Sequence, residues 1–91
     1  MRFKWDETKR QNNLKKHGFD FKDAASVFAG KIVTVEDTRY NYGEERFATL
    51  ASLQGRIVLI IHTEQEDTIR LISMRKATKY EEQTYYQQIG Y

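Results

Sequence analysis

The strongest constraint on the fold is the apolar run Ile57-Val58-Leu59-Ile60-Ile61, within the segment from Arg56 to Thr63. Its flanking turn signals and short length indicate a strand rather than a helix. Successive side chains of a strand point to opposite faces, so this strand is apolar on both. It is therefore predicted to lie at the centre of a sheet.

Three other segments are predicted as strands around this one. They run from Ile32 to Asp37, from Glu44 to Ser52 and from Thr68 to Arg75. The turn signals between the strands are Asn41-Tyr42-Gly43, Gln54-Gly55 and Gln65-Glu66-Asp67. Short turns between successive strands predict an antiparallel meander.

Capping residues mark three helices. Asp6 is a suitable N-cap for a helix that runs to His17 and stops at Gly18. A second helix is predicted to open in Phe19-Asp20-Phe21-Lys22-Asp23, with Asp20 as its cap, and to end at Gly30. A third begins at the capping box Thr78-Lys79-Tyr80-Glu81. Phe3-Lys4-Trp5 fits a short strand or arm. Residues 1–91 are thus predicted to form one α+β domain, with two N-terminal helices and one C-terminal helix packed on a four-stranded antiparallel sheet.

The positive charge is concentrated in two segments. The formal net charge is only +2, but residues 2–16 hold six cations against two acids. Residues 70–79 hold four cations and no acid. If the two segments meet in space, they form the positive site that is typical of nucleic-acid binding.

The basic segment from Lys9 to Gly18 has two interpretations. On a helix, Lys9, Asn13 and Lys16 share one face, and His17 follows next to Gly18. Such a face is either solvated surface or a site for a polyanion. Likewise, a histidine beside a C-terminal glycine can act in catalysis or can bond the last carbonyls of its helix. Spacing alone leaves both alternatives open.

Several functional classes find no support in the sequence. The chain has no cysteine, its two histidines are not at metal-ligand spacing, and it has no Gly-rich phosphate loop. We therefore expect no metal and no cofactor. The N-terminus lacks the apolar region of a signal peptide, and no apolar run is long enough to span a membrane, so a cytoplasmic location is predicted.

Metal-independent RNA cleavage suits the residues that remain. The RNA supplies its own nucleophile, the 2′-hydroxyl, so the protein must position the backbone, transfer protons and offset charge on the phosphate. Arginines bind phosphate well, and an imidazole can exchange protons near neutral pH, which makes His17 a candidate for proton transfer. Glu44 and Arg46 point to one strand face, which also fits a surface ion pair. Arg70 and Arg75 reach one site only if a bulge or the end of the strand re-aims one of them.

Taken together, the motifs resemble the BrnT family, ribonuclease toxins of bacterial type II toxin–antitoxin operons. The N-terminal motifs are Phe3-x-Trp5-Asp6, Lys9-x-x-x-Asn13-x-x-Lys16-His17-Gly18 and Phe21-x-x-Ala24 with Val27-Phe28. The later motifs are Gly43-Glu44-Glu45-Arg46, the segment from Ile69 to Ala77, and Glu81 with Tyr85. The resemblance spans nearly the whole chain.

The resemblance implies a RelE-like fold and a metal-independent endoribonuclease that blocks translation. It also implies a cognate antitoxin, expected to be a ribbon-helix-helix protein through which the complex would bind operator DNA. Residue by residue, it carries over catalytic roles and RNA contacts. The expected catalytic residues are Lys16, His17, Arg46, Arg70 and Arg75. The expected RNA-binding residues are Lys9, Asn13, Glu44 and Ser73.

Two alternatives and one further group of residues stay open. A non-catalytic RNA- or partner-binding module of the same fold is supported by Met74, where the family usually has a small residue that would not crowd Arg75. A lone DNA-binding regulator lacks support, because no helix-turn-helix pattern is present. Tyr85, Tyr86 and Tyr91 are expected to pack in the core or a partner interface, or to stack on bases.

Overall fold

The computed structural model describes residues 1–90, and Tyr91 lies outside that range. The chain forms β1 (Arg2–Lys4), α1 (Glu7–His17), a 3-10 helix (Phe21–Asp23), α2 (Ala24–Phe28), β2 (Ile32–Glu36), β3 (Phe47–Leu53), β4 (Arg56–Gln65), β5 (Thr68–Lys76) and α3 (Lys79–Ile89). The predicted α+β class is confirmed. Within residues 1–90, no helix combines the length and the apolar character needed to cross a bilayer.

The sheet has five strands and is mixed, so the prediction of four antiparallel strands was wrong. The strand order is β1-β5-β4-β3-β2. β1 adds to the edge of β5 in parallel, with Arg2 opposite Thr68 and Lys4 opposite Arg70. This pairing joins segments that are about 66 residues apart in the chain, and reasoning from short turns between neighbouring strands cannot detect it.

The predicted position of the apolar run is confirmed, because β4 lies between β3 and β5 and its residues 57–61 are all buried. Val58 and Ile60 enter a first core beneath the 3-10 helix and α2. Ile57, Leu59 and Ile61 enter a second core, on the other face, to which α3 contributes Tyr85. We call these the first face and the second face of the sheet. α3 packs over β2 and β3, so part of the second face remains open.

Local signals set most of the helix ends. Asp6 accepts a hydrogen bond from the backbone N–H of Lys9 at 3.1 Å, and Gly18 adopts a left-handed φ of 77° after α1. The predicted second helix is instead split, because Asp20 caps a 3-10 turn and α2 begins only after it. The predicted capping box of α3 is present, with both of its hydrogen bonds.

The boundary of β3 also differs from the prediction. We expected the strand to begin at Glu44, but it begins at Phe47. The residues from Glu44 to Arg46 instead close a loop, where the backbone N–H of Asp37 donates to the carbonyl of Arg46 at 2.7 Å. The loop from 37 to 46 therefore stands at the edge of the open second face.

A bulge interrupts the pairing of β4 with β5. Ile61 lies opposite Ser73 and the next residue, His62, lies opposite Leu71, so Ile72 has no partner across the ladder. A bulge of this kind changes which face the following residues point to. Before the bulge, Leu71 enters the first core, and after it Met74 does, although the two are three residues apart.

Candidate nucleic-acid interface

The bulge brings the arginines of β5 to the same face of the sheet. Arg70, Ser73 and Arg75 lie opposite alternate residues of β4, namely Thr63, Ile61 and Leu59. Because Ile61 and Leu59 belong to the second core, all three β5 side chains point to the second face. The partners of the two ends of this row, Thr63 and Leu59, are four residue steps apart on β4, a distance of roughly 13 Å at ~3.3 Å per step. We call Arg70, Ser73 and Arg75 the β5 row.

Arg46 joins the row through Glu44. The guanidinium of Arg70 donates to both carboxylate oxygens of Glu44 at 2.8 Å, and Nε of Arg46 donates to Oε2 at 3.2 Å. The hydrogen bond from Arg46, supported by that from Arg70, holds the pKa of the Glu44 carboxyl below its ordinary value. The predicted pair of Glu44 with Arg46 is present, but the carboxylate also bridges to Arg70 on β5.

A groove opens at this cluster. It has a volume of about 560 Å³ and is lined by Lys4, Glu44, Glu45, Thr63, Glu64, Gln65, Glu66, Thr68 and Arg70. The residues come from β1, the loop before β3, and the ends of β4 and β5. The groove thus has room for a small polar ligand, and its charged lining consists of four carboxylates and two cations.

Two residues that the sequence analysis missed hold Arg46 in place. The guanidinium of Arg46 stacks on the ring of Tyr42, 4.0 Å from its centroid. Tyr42 donates its hydroxyl proton to Asp37 at 3.3 Å, and Asp37 also accepts from Nε of Arg39 at 2.9 Å. The Asp37 carboxylate is buried, and its bond to Arg39 lowers its pKa, so it stays charged. The sequence signal that could have indicated these two residues is an aspartate at the end of a predicted strand, followed by a Tyr-Gly turn.

Arg75 has a carboxylate partner of its own. It makes a two-pronged ion pair with Glu81, at 2.9 and 3.1 Å, and this lowers the pKa of the Glu81 carboxyl. Glu81 also accepts from the backbone N–H of Thr78, so the capping box of α3 fixes the position of Arg75. The sequence predicted the capping box but not this pair.

An apolar groove lies beside Arg75. Its volume is about 310 Å³, and its lining is Val33, Val35, Glu36, Asp37, Thr38, Arg39, Ala48, Leu50, Leu59, Ile61, Arg75, Glu81 and Thr84. Leu50, Leu59 and Ile61 belong to the second core, so they form its floor. An apolar floor with an arginine and polar groups at its rim suits a flat ring or an apolar side chain.

The structure gives Asn13 a structural role, and its expected contact with RNA stays a prediction. Asn13 is 7% exposed. Its amide nitrogen donates to the carbonyls of Met74 at 2.9 Å and of Phe19 at 3.1 Å, and its oxygen accepts from the N–H of Met74 at 3.1 Å. β1 reaches only as far as Arg70, so Asn13 satisfies the backbone of β5 beyond that point. The side chain thereby fixes α1 to the edge of the sheet.

Lys9, Lys16 and His17 remain available on α1. Both lysines are exposed and His17 is half-buried, and within residues 1–90 none of the three side chains forms a hydrogen bond or an ion pair. β1 runs parallel to β5, and α1 continues in the same direction until Asn13 meets Met74. His17 therefore lies toward the Arg75 end of the row and away from Glu44.

Met74 does not crowd the site. Its side chain is fully buried in the first core, on the face opposite Arg75. The larger side chain at this position is thus accommodated away from the arginines, which removes the observation that favoured a non-catalytic module. Among residues 1–90, no group of three or more histidine, aspartate or glutamate side chains is arranged to hold a metal ion.

The fold and the site define a small α+β protein with an arginine row on one open sheet face. A sequence profile described as "Ribonuclease toxin, BrnT, of type II toxin-antitoxin system" matches residues 5–81. The chain belongs to this family. The crystal structure of the Brucella abortus ribonuclease toxin BrnT is 30% identical in sequence and superposes with a TM-score of 0.64, covering 87% of this chain and 99% of that one. No curated protein matches the chain. The family implies an RNA substrate and a cognate antitoxin.

Proposed function

We propose that this protein is a metal-independent endoribonuclease that blocks translation until a cognate antitoxin neutralises it. The observation that carries the proposal is the arrangement of three arginines: Arg70 and Arg75 lie on one open sheet face, and Arg46 joins Arg70 there through Glu44. Phosphate is the ligand that such paired guanidinium groups bind best. Family membership supplies the RNA class of the substrate.

The arginines would hold successive phosphates of a single strand. Each of them has a carboxylate partner in the unliganded protein, Glu44 or Glu81, and an incoming phosphate would compete for it. The apolar groove beside Arg75 offers a place for an unstacked base, since single-stranded RNA is recognised through splayed bases on apolar or aromatic surfaces. Ser73 lies between the arginines and can bond a phosphate oxygen.

Lys9 and Lys16 would extend the RNA path along the edge of β5. Both are exposed on α1, which Asn13 holds against Met74. Two groups have proton-transfer chemistry along this path: the imidazole of His17 toward the Arg75 end, and the carboxylate of Glu44 at the Arg70 end. The charged and polar groups thus cover binding, charge stabilisation and proton transfer.

We further propose that the antitoxin is a ribbon-helix-helix protein, and that the complex binds operator DNA only through it. Support comes from the type II toxin–antitoxin family to which the chain belongs. The site of action would be the cytoplasm, where translation occurs. Co-expression of the chain with the protein encoded beside it, followed by pull-down and an operator-binding assay, tests the pairing.

The site is tested by growth arrest and by cleavage of purified RNA. Arg75→Ala and the Lys16→Ala/His17→Ala double variant should relieve growth arrest on induced expression, whereas Lys22→Ala, an exposed lysine on the first face, should not. Cleavage of single-stranded RNA by the purified protein should persist in excess chelator. Full toxicity of both site variants would contradict the site, and salt-sensitive RNA binding without cleavage would favour a binding module.

A further inference from the structure

We propose that the Glu44 carboxylate is the general base of the reaction, taking the 2′-hydroxyl proton next to a phosphate held by Arg46 and Arg70. This inference rests on the proposed RNA cleavage and refines it. It moves the catalytic centre to the Arg70 end of the β5 row and makes His17 part of the RNA path instead of the proton acceptor.

The geometry points to Glu44 because a base and a phosphate-binding pair meet there. The side chain of Glu44 is 38% exposed, and that of Arg70 is 34% exposed, so both are open to solvent at the 560 Å³ groove. The two arginines approach the same carboxylate from different elements, β5 and the loop before β3. A phosphate that takes over their N–H groups would lie within a few ångströms of the carboxylate, as a base requires.

The ion pair of Glu81 with Arg75, at the other end of the β5 row, does not combine an available base with two phosphate-binding arginines. Glu81 is bound on one oxygen by Arg75 and the N–H of Thr78, and on the other by Arg75. It therefore has a structural task at the start of α3 that Glu44 does not have. His17 lies toward the other end of the row, one helical turn beyond the Asn13–Met74 contact.

Phosphate binding would also activate the base. In the free protein, the bonds from Arg46 and Arg70 hold the pKa of Glu44 low, which makes it a weak base. When both arginines turn to the phosphate, the carboxylate loses these donors and gains a negative neighbour, and each change raises its pKa. The base would thus become stronger only when the substrate is in place.

The proposed step balances without a further reactant. The 2′-oxygen forms a bond to phosphorus, its proton passes to Glu44, and the bond from phosphorus to the 5′-oxygen breaks. The 5′-oxygen takes a proton from water in the open groove, leaving a 2′,3′-cyclic phosphate and a 5′-hydroxyl end. Arg46 and Arg70 offset the charge that develops on the phosphate oxygens.

Other charged groups face the same groove and set its local field. Lys4 comes from β1, Glu45 from the loop before β3, and Glu64 and Glu66 from the end of β4 and the turn that follows. The lowered pKa of the Glu44 carboxyl comes from its bonds to Arg46 and Arg70. Since Lys4 and the three acids remain when the substrate binds, the change in pKa on binding would come from the two arginines and the phosphate.

The test uses the purified full chain and a short single-stranded RNA under single-turnover conditions. Glu44→Gln should cleave at least about a hundredfold more slowly, the usual contribution of a general base. It should bind a non-cleavable 2′-O-methyl RNA of the same sequence within about threefold of wild type. Added formate should accelerate Glu44→Ala in proportion to its concentration, a response that a merely structural carboxylate would not give. Asp23→Asn, which removes an exposed acid on the first face, is the charge-matched control.

The pH profile gives a second readout. In the wild type, the acid limb of kcat should lie at higher pH than that of kcat/KM, because kcat reports the RNA-bound state. Glu44→Gln should lose this limb. Cleavage by Glu44→Gln within about fivefold of wild type, or no response of Glu44→Ala to formate, would overturn the assignment while leaving the ribonuclease proposal intact. A wild-type protein that cleaves no RNA would overturn the ribonuclease proposal itself.

Discussion

Replacing Asn13 with alanine should strongly lower the free energy of unfolding of the protein. Three buried groups would lose their partner: the N–H and carbonyl of Met74 and the carbonyl of Phe19. Leaving a buried polar group unsatisfied costs about 1–3 kcal/mol, so three groups at the lower end give a loss of about 3 kcal/mol. For a domain of this size, that loss lowers Tm by roughly 12–24 °C.

Equilibrium unfolding in urea, followed by circular dichroism, measures the effect. Asn12→Ala is the matched control, because Asn12 is the exposed neighbour on the same helix. Asn13→Asp keeps the acceptor for the N–H of Met74 but loses both donated bonds, so it should also be destabilised. If Asn13→Ala unfolds within about 0.5 kcal/mol of wild type yet no longer binds RNA, the buried role is refuted and a direct RNA contact is supported.

Two further predictions concern stability. His62 is fully buried and bonded to Thr49 at 2.7 Å, and burial lowers its pKa to about 4. The unfolded state therefore binds more protons than the folded one between pH 6.5 and 4, and stability should fall by about 3 kcal/mol as the pH drops through that window. The free energies of unfolding of wild type and His62→Gln, measured in urea at pH 7 and at pH 4, isolate the contribution of His62. An equal pH dependence in the two proteins would contradict the prediction. Thr78→Ala should cost about 1 kcal/mol by removing the cap of α3, and a thermal melt unchanged from wild type would exclude that role.

The local features of the fold were largely predictable. Asp6, Gly18 and the Thr78 capping box are short-range signals, because a cap is made by residues within one turn of the helix end. The apolar run of β4 was equally informative, because a strand that is buried on both faces lies at the centre of a sheet. Errors arose where a partner lay far along the chain. The pairing of β1 with β5 has no local signal.

The candidate site was predicted as a set of residues but not as an arrangement. Sequence patterns identified Arg46, Arg70 and Arg75, yet a regular strand would have pointed Arg70 and Arg75 to opposite faces. Only the bulge places Arg70 and Arg75 on the same face of the sheet. Glu44 and Glu81 then become part of the site, because Glu44 bonds Arg70 and Glu81 bonds Arg75.

The sequence by itself determined the element types, the central strand and the two basic segments, since periodicity, capping and charge are properties of neighbouring residues. Tertiary structure alone decided which partners the amide of Asn13 and the carboxylates of Glu44 and Glu81 meet. Asn13 holds α1 to β5, because the backbone of Met74 has no neighbouring strand on that side. Glu44 gained two arginines from separate elements, and that meeting makes a chemical role for it testable.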